Sequence, residues 1–126
     1  MMSSLAGLLG MQLVAPYAAS KAFTWNLAEA LFHELKENEI DVMACIAGAT
    51  NTETYLATQP RYKGIKPQIQ NPREVAKNAI ENLGKKALYI SGWNNRFNYF
   101  ILTRILPRKM AARIANKVIK EMYPNV

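Results

Sequence analysis

The chain has 126 residues, of which 50% are hydrophobic and 20% are charged, and its formal net charge is +7. This composition excludes a disordered, fibrous or collagen-like chain and fits one ordinary globular domain. One cysteine, Cys45, excludes a disulfide within these residues and favours the reducing environment of the cytoplasm, and no apolar run approaches the ~20 residues that a membrane span needs.

The first residues predict the end of a strand followed by a loop. Met1-Met2-Ser3-Ser4 is typical of the end of a buried strand. Gly7 and Gly10 then permit backbone angles that other residues avoid, which indicates a glycine-rich loop after the strand.

Tyr17 and Lys21 lie four residues apart at the start of a long apolar segment. In a helix this spacing places both side chains on one face, and an ammonium beside a phenol favours the ionised phenol. A tyrosine in that position can pass a proton to or from a substrate oxygen. A second Tyr-x-x-x-Lys, at Tyr62 and Lys66, is interrupted by Gly64, so we expect it to lie in a loop.

The surroundings of the first copy distinguish it. Ser4 stands thirteen residues upstream, and Pro16, which suits the first turn of a helix, precedes the tyrosine. The run Ser3-Ser4-x-Ala6-Gly7, followed by Tyr17-Ala18-Ala19-Ser20-Lys21-Ala22, resembles the short-chain dehydrogenase/reductase family. The resemblance implies an NAD(P)-dependent oxidoreductase that interconverts a carbonyl and a secondary alcohol of a small-molecule substrate by hydride transfer.

The same resemblance implies a role for each residue of the motif. Tyr17 would be the proton donor and acceptor, and Ser4 would position the substrate oxygen. Lys21 would favour the ionised tyrosine and hold the nicotinamide ribose. The predicted catalytic set is therefore Ser4, Tyr17 and Lys21.

Residues 16–38 predict one long helix, because apolar residues recur at steps of three and four: Phe23, Leu27, Ala30, Leu31 and Leu35. In the resembling family this helix forms a subunit contact, which implies a homo-oligomer. The alternative is that its wide apolar face covers the sheet of its own subunit. His33, the one histidine of the chain, has no cysteine partner at ligand spacing, so we predict no metal site.

Ile40 to Ile46 predicts a buried strand, because it is apolar almost throughout, as parallel strands covered on both faces are. The next residues, 47–52, match the family's Pro-Gly-x-x-x-Thr at Gly48 and Thr52, with Ala47 in place of the proline. Thr52 would face the nicotinamide carboxamide. The residues that the resemblance assigns to the NAD or NADP contact are Tyr17, Lys21, Gly48 and Thr52.

The remaining elements complete a layered pattern over residues 1–92. Residues 50–62 predict a loop or short helix that, in the family, closes over cofactor and substrate, and residues 63–67 predict a turn. Asn71 predicts a helix cap, and the buried face of that helix would contain Val75, Ala79, Ile80 and Leu83. Residues 87–90 predict a strand. Alternating helices and strands predict an α/β fold.

The resemblance covers residues 3–90 and begins in the middle of the family's fold. The glycine-rich turn that holds a dinucleotide's pyrophosphate at a helix N-terminus is not found in these 126 residues. We therefore expect the C-terminal half of a Rossmann-like doubly wound parallel sheet. By itself this chain is expected to bind NAD or NADP poorly and to turn over little.

Residues 93–126 predict a basic amphipathic helical appendage. Apolar residues recur at helical spacing on both sides of Pro107, and basic residues outnumber acidic ones seven to one. Such a segment is typical of helices that lie on a membrane surface, which would make the protein peripheral to a membrane. The alternative is a helix pair packed on its own enzyme. No base-reading motif accompanies the charge, so nucleic-acid binding is not expected.

Two functions stay open on the sequence alone. One is an NAD(P)-dependent oxidoreductase of which this chain is the catalytic half. The other is a non-enzymatic fragment that binds a subunit or a membrane through residues 16–38 or 93–126. The intact mass of the native polypeptide, compared with the 14.2 kDa of this chain, separates them.

Overall fold

A computed structural model describes residues 1–62, 64 and 66–124. Three strands form a parallel sheet in the spatial order β1 (Met2–Ser4), β2 (Ala44–Ala47) and β3 (Leu88–Ile90). The α-helices are α1 (Ala15–Glu34), α2 (Glu53–Ala57), α3 (Pro72–Asn82), α4 (Trp93–Phe100) and α5 (Arg108–Met122). Further helical turns are the 3-10 helices Leu5–Leu8 and Lys36–Asn38 and the π-helical turn Ile101–Ile105.

The sheet lies between α1 and α3. Ser3 and Ile46 are partners in the register of β1 and β2, so their side chains point to the same face. The Ser3 hydroxyl donates to the backbone carbonyl of Lys21 (2.7 Å), which places α1 on that face. The opposite face packs on α3 in one core cluster: Met43, Cys45, Ala47, Val75, Ala79 and Tyr89. Helices on both faces of a parallel sheet confirm the predicted α/β, doubly wound arrangement.

The first long helix ends before the predicted boundary at residue 38. α1 ends at Glu34, and the chain continues through Leu35 as the 3-10 helix Lys36–Asn38. Glu39 then adopts a left-handed backbone conformation with φ of 56°, which cannot continue a right-handed helix. Residues 35–38 are therefore helical turns of a tighter kind rather than a continuation of α1.

The buried side of α1 differs from the predicted stripe. Phe23, which the pattern placed inside, is 68% exposed, and Ala30 is exposed as well. The fully buried residues of α1 are the small Ala18 and Ala28. The reason is close backbone contact, since β1 and the 3-10 helix Leu5–Leu8 lie directly against this helix and leave little room for large side chains.

The second strand is shorter than predicted. β2 spans Ala44–Ala47, whereas Ile40 is exposed and residues 40–43 approach the sheet outside any strand. β1 and β3 each pair with β2 through three residues, so the paired region is short. All four residues of β2 are buried, as expected for a central parallel strand. Cys45 is 2% exposed, in agreement with the predicted buried strand, and burial raises the pKa of its thiol.

The segment between β2 and α3 contains the predicted short helix, α2. Of the predicted turn at residues 63–67, Lys63 and Ile65 lie outside the described residues. Asn71 then caps α3 as predicted: its Oδ1 accepts a hydrogen bond from the Arg73 backbone N–H (2.9 Å), and Pro72 is the first helical residue.

The predicted buried face of α3 is correct in part. Val75 and Ala79 are buried against the sheet, but Ile80 is 72% exposed and Leu83 is exposed. Ile80 follows Ala79 by one position and therefore lies about 100° around the helix from the buried face. Leu83 lies beyond Asn82, the last residue of α3, where the backbone is extended with ψ of 141°. The strand predicted at 87–90 is present as β3.

The C-terminal helices pack on the loop that follows β1. Leu8, Leu9 and Ala111 form a buried cluster, and its partly buried neighbours are Leu5, Tyr99, Leu102, Leu106 and Ala115. Apolar residues of the predicted amphipathic segment are largely at the surface: Trp93, Phe97, Phe100, Ile105, Met110, Ile114 and Val118. Over the described part of the chain, no helix combines the length and the hydropathy needed to cross a bilayer. Asn125 and Val126, the last two residues of the predicted appendage, lie outside the described residues.

Candidate active site

The candidate site lies at the carboxyl edge of the sheet, where the segments that follow parallel strands meet. Ser4, the last residue of β1, pairs in register with Ala47, the last residue of β2. Gly48 and Ser91 follow β2 and β3 at the same edge, and the Ser91 backbone N–H donates to the Ile46 carbonyl (3.0 Å). The sheet therefore brings together two motifs that are far apart in the sequence.

Ser4 joins β1 to the 3-10 helix Leu5–Leu8. Its Oγ accepts a hydrogen bond from the Ala6 backbone N–H (3.2 Å), as the cap of that helix. Because this bond uses a lone pair of the oxygen, the hydroxyl proton remains available for donation to a substrate oxygen.

Gly7 lets the 3-10 helix lie directly on α1. A Cβ at this position would stand 2.7 Å from the Ala22 nitrogen and from the Lys21 carbonyl carbon, which is closer than real side chains tolerate. The Trp25 indole N–H donates to the Gly7 carbonyl (3.3 Å) and holds the same contact. The glycine thus allows the segment that carries Ser4 to approach the helix that carries the Tyr-x-x-x-Lys pair.

Tyr17 and Lys21 lie one turn apart in α1, as their spacing predicts. Lys21 Nζ is 5.6 Å from the centre of the Tyr17 ring, within the range of a cation–π attraction. It also donates to the Met2 carbonyl (3.3 Å), which connects it to β1. Tyr17 is 49% exposed, so its phenol is open to a ligand. An ammonium, an accessible phenol and the Ser4 strand are thereby gathered in one region.

Thr52 and Gly48 have structural partners of their own. Thr52 is the N-cap of α2, and its Oγ1 accepts from the Tyr55 backbone N–H (3.2 Å), which again leaves the hydroxyl proton available. A Cβ at Gly48 would stand 2.6 Å from the side chain of Asn95 in α4. The close approach of α4 is therefore a reason for glycine at this position besides the predicted cofactor contact.

The sequence does not predict the polar network beside Gly48. Gln70 donates through Nε2 to Ser91 Oγ (3.1 Å) and accepts through Oε1 from Asn95 Nδ2 (3.0 Å). Asn95 also donates to the Ser91 carbonyl (2.7 Å), and Ser91 is buried. The network connects the end of β3 to α4. Its one sequence signal is Ser91-Gly92 directly after a predicted strand.

Hydroxyl groups hold the segment that follows Thr52. The hydroxyls of Tyr55 and Tyr62 hydrogen-bond to each other, and Thr58 Oγ1 pairs with the Tyr123 hydroxyl (2.9 Å). Burial and the hydrogen bond with Tyr62 raise the pKa of Tyr55. Tyr62 lies outside any helix, as predicted for the second Tyr-x-x-x-Lys.

The donor groups at this edge fit the nicotinamide end of a dinucleotide. The Lys21 ammonium and the Tyr17 phenol suit ribose hydroxyls, and the Thr52 hydroxyl can donate to a carboxamide oxygen. A groove of about 710 Å³ at the start of α3 is lined by Asn51, Ile69, Gln70, Asn71, Pro72 and Arg73. Within the described ranges, no three His, Cys, Asp or Glu side chains are grouped so that they could hold a metal ion.

The chain is similar to known proteins in sequence and fold. The family model described as short chain dehydrogenase matches residues 1–63, which is half of the chain. The chain is 36% identical over 93 residues to a 7beta-hydroxysteroid dehydrogenase of Clostridium sardiniense, over 74% of this chain and 36% of that protein. It is 24% identical over 134 residues to a very-long-chain 3-oxoacyl-CoA reductase of Candida glabrata, over 99% of this chain and 36% of that protein.

The fold agrees with the sequence comparison. A solved structure from a study of 7beta-hydroxysteroid dehydrogenase stereoselectivity matches with a TM-score of 0.76 and 28% identity, over 90% of this chain and 44% of that chain. The chain thus spans 36% of the length of the two curated relatives named above. On the family model, the relatives and the fold together, the chain belongs to the short-chain dehydrogenase/reductase family.

Proposed function

We propose that this chain supplies the catalytic residues of an NAD(P)-dependent oxidoreductase that interconverts a carbonyl and a secondary alcohol. The observation that carries the proposal is the Tyr17–Lys21 pair, one turn apart on a helix that is hydrogen-bonded to the strand ending in Ser4. Family membership and the dehydrogenase and reductase names of the relatives support the same reaction class.

Ser4, Tyr17 and Lys21 each have a separate role in the proposed reaction. When bound, NAD(P)H supplies the hydride in the direction of reduction. Ser4 donates a hydrogen bond to the substrate carbonyl oxygen, and Tyr17 delivers a proton to that oxygen as its negative charge develops. Lys21, whose Nζ lies 5.6 Å from the centre of the Tyr17 ring, supplies a positive charge near the phenolate that results. In the oxidative direction Tyr17 takes the proton back from the alcohol.

We propose that Lys21 and Tyr17 hold the nicotinamide ribose and that Thr52 donates to the carboxamide. Gly48 joins this set through the family pattern at residues 47–52, and its close contact with Asn95 of α4 is a separate reason for glycine. The glycine-rich phosphate loop of dinucleotide enzymes is not found in these 126 residues, so we expect little turnover from them alone.

The names of the relatives support a proposal for the substrate class. Their names specify a hydroxysteroid and a very-long-chain 3-oxoacyl-CoA, both of which carry a hydroxyl or carbonyl on a large apolar skeleton. We propose an apolar ketone or secondary alcohol of comparable size for this protein. Leu8 and Leu9 follow Ser4 closely in the sequence, but their side chains are buried against α5. We therefore expect residues other than these two to contact the apolar part of the substrate.

Replacing Tyr17 with Phe in the native polypeptide that contains this chain tests the proposed reaction. We expect reduction of apolar ketones with NADPH or NADH to fall at least about a hundredfold, because the phenolic proton is lost. Cofactor binding, followed by NAD(P)H fluorescence, should be largely retained. Tyr89→Phe, in β3, is the matched control and should keep full turnover. Normal turnover in Tyr17→Phe would remove the proposed proton donor.

Assembly through α1 is part of the proposal. Phe23 on this helix is a large apolar side chain, yet 68% of its surface is exposed to solvent. A second copy of α1 would cover it in a homo-oligomer. We expect Phe23→Ser to shift the protein toward monomer in analytical ultracentrifugation. If wild type and variant form the same oligomer, the subunit contact does not involve Phe23.

A second candidate function is attachment of a cytoplasmic protein to an anionic membrane surface through α4 and α5. Large apolar side chains on these helices are exposed, with Trp93 at 73%. Basic residues accompany them: Arg96, Arg104, Arg108, Lys109, Arg113, Lys117 and Lys120. Exposed aromatic and cationic side chains on amphipathic helices suit the interface of a negatively charged bilayer.

Vesicle sedimentation tests this second candidate. We expect the protein to sediment with vesicles containing phosphatidylglycerol and to stay in solution with pure phosphatidylcholine. Arg113→Gln with Lys117→Gln should weaken the sedimentation, whereas Arg73→Gln with Lys77→Gln, on α3, should not. Equal binding by both pairs of variants, or none by wild type, would remove the membrane function and leave the oxidoreductase proposal untouched.

A further inference from the structure

One helix of the C-terminal region connects the two segments that border the candidate site. The middle of α5 holds the loop that follows Ser4. Gln12 donates its backbone N–H to Asn116 Oδ1 (2.6 Å), and the Gln12 side-chain amide donates to the Asn116 carbonyl (2.9 Å). Asn116 Nδ2 in turn donates to the Gly10 carbonyl (3.0 Å). At the start of α5, Arg108 donates to the Leu8 carbonyl (3.4 Å).

The other end of α5 holds the segment that follows Thr52. The Arg61 backbone N–H donates to the Met122 carbonyl, the last residue of the helix (2.9 Å). Immediately after it, the Tyr123 hydroxyl pairs with Thr58 Oγ1 (2.9 Å). The segment between α2 and residue 62 is therefore fixed to α5 by both backbone and side-chain bonds.

The position of α5 between these two segments is itself fixed by packing. Ala111 is fully buried against Leu8 and Leu9, and Ile119 is buried one turn before the contact with Arg61. A continuous α-helix changes its length little, so a displacement at one end is passed to the other. The spacing between the loop after Ser4 and the segment after α2 thus depends on α5, a helix that carries none of the residues proposed for proton transfer or cofactor contact.

We propose that α5 sets the width of the substrate site and that Asn116 is its positioning residue. The inference rests on the proposed function in taking Ser4, Tyr17 and Thr52 as the site, and it adds a determinant outside the residues that carry the family resemblance. Both polar atoms of the Asn116 side-chain amide form hydrogen bonds to the loop that follows Ser4. The loop needs such restraint, because Leu13 adopts a positive φ of 65°, which is unfavourable for a large side chain.

Amide hydrogen exchange of the chain tests the restraint without any need for turnover. In Asn116→Ala we expect the Gln12 amide to exchange about three- to tenfold faster, since it loses its acceptor. We also expect faster exchange at Arg61, because release of the loop loosens α5 at its far end. Asn82→Ala is the matched control: Asn82 donates to the Asn78 carbonyl within α3, as Asn116 donates to the Ala112 carbonyl within α5.

The reverse variant tests transmission from the other end. Tyr123→Phe removes the hydroxyl that pairs with Thr58. Exchange should become faster at Arg61, which lies in the same segment as Thr58, and at Gln12 through the helix. Unchanged exchange at Gln12 in Asn116→Ala would overturn the assignment of Asn116. Faster exchange at Gln12 with no change at Arg61 would overturn the role of α5 as a connection, and so would an equal effect of Asn82→Ala.

A kinetic readout separates positioning from general stability. In the native polypeptide, Asn116→Ala should raise KM for a large apolar ketone at least fivefold and change kcat less than twofold, because the variant alters binding rather than proton transfer. Asn116→Asp keeps the acceptor for Gln12 and should recover part of the loss. Equal falls in kcat and kcat/KM, or no rescue by aspartate, would contradict the proposal. Loss of activity in Tyr17→Phe bears only on the proton donor, so the two proposals fail separately.

Discussion

The hydroxyl of Ser3 donates a hydrogen bond to the backbone carbonyl of Lys21 across 2.7 Å. A second bond runs the other way, from Lys21 Nζ to the Met2 carbonyl (3.3 Å). These reciprocal bonds join the strand that ends in Ser4 to the helix that carries Tyr17. The relative position of the proposed substrate-binding hydroxyl and the proposed proton donor therefore depends on a serine that is itself 4% exposed and cannot reach a substrate.

Replacing Ser3 with Ala should lower the free energy of unfolding by about 1 kcal/mol, because a buried hydrogen bond between β1 and α1 is lost. Urea denaturation measures the change. Ser20→Ala is the control, since Ser20 is exposed and its hydroxyl bonds within α1 to the Tyr17 carbonyl. That variant should be neutral or slightly stabilising. Equal midpoints for the two variants would show that the Ser3 bond contributes nothing.

Replacing Gly7 with Ala should destabilise the protein by about 1–3 kcal/mol, because the new Cβ overlaps the backbone of α1 at Lys21 and Ala22. The contact involves backbone atoms, so no side chain can move aside. Gly10→Ala is the matched control, since a Cβ there meets nothing within 4 Å. Denaturation midpoints of the two variants should differ clearly, and a harmless Gly7→Ala would contradict the close approach of the 3-10 helix.

Gly48 and Asn95 should behave as a coupled pair. Gly48→Ala places a Cβ 2.6 Å from the Asn95 side chain and should cost about 1–3 kcal/mol. Asn95→Ala removes the donor to Gln70 and should cost about 1 kcal/mol. The double variant should lose less than the sum of both, because alanine at 95 clears the space. If the changes in the free energy of unfolding measured by urea denaturation are strictly additive, the two residues are not in contact.

The Cys45 thiol should make stability depend on alkaline pH. Burial raises its pKa in the folded state above the unfolded value of about 8.5. The unfolded thiol therefore ionises first, so the stabilising contribution is complete below about pH 8.5 and is lost as pH rises from there toward the folded pKa. Between pH 7.5 and 9.5 the wild type should lose up to about 1.4 kcal/mol more than Cys45→Ala. The same loss in both proteins would contradict the prediction.

The sequence predicted the local chemistry well where spacing alone decides geometry. Tyr17 and Lys21 had to share a helix face once a helix was present, and Asn71 had to cap once Pro72 began α3. Burial was predicted less well. Phe23 and Ile80 were assigned to buried helix faces, yet both are exposed, because periodicity shows which residues share a face and not which face another element covers.

The sequence by itself determined the family, the α/β class and the residues proposed for proton transfer, since short motifs act through fixed spacings along one helix or at the end of one strand. Only the tertiary structure decided what surrounds them. The Ser3–Lys21 bond, the Gly48–Asn95 contact and the bonds of Asn116 to the loop after Ser4 join residues far apart in the chain. No periodicity encodes such contacts, because each depends on how separate elements pack against one another.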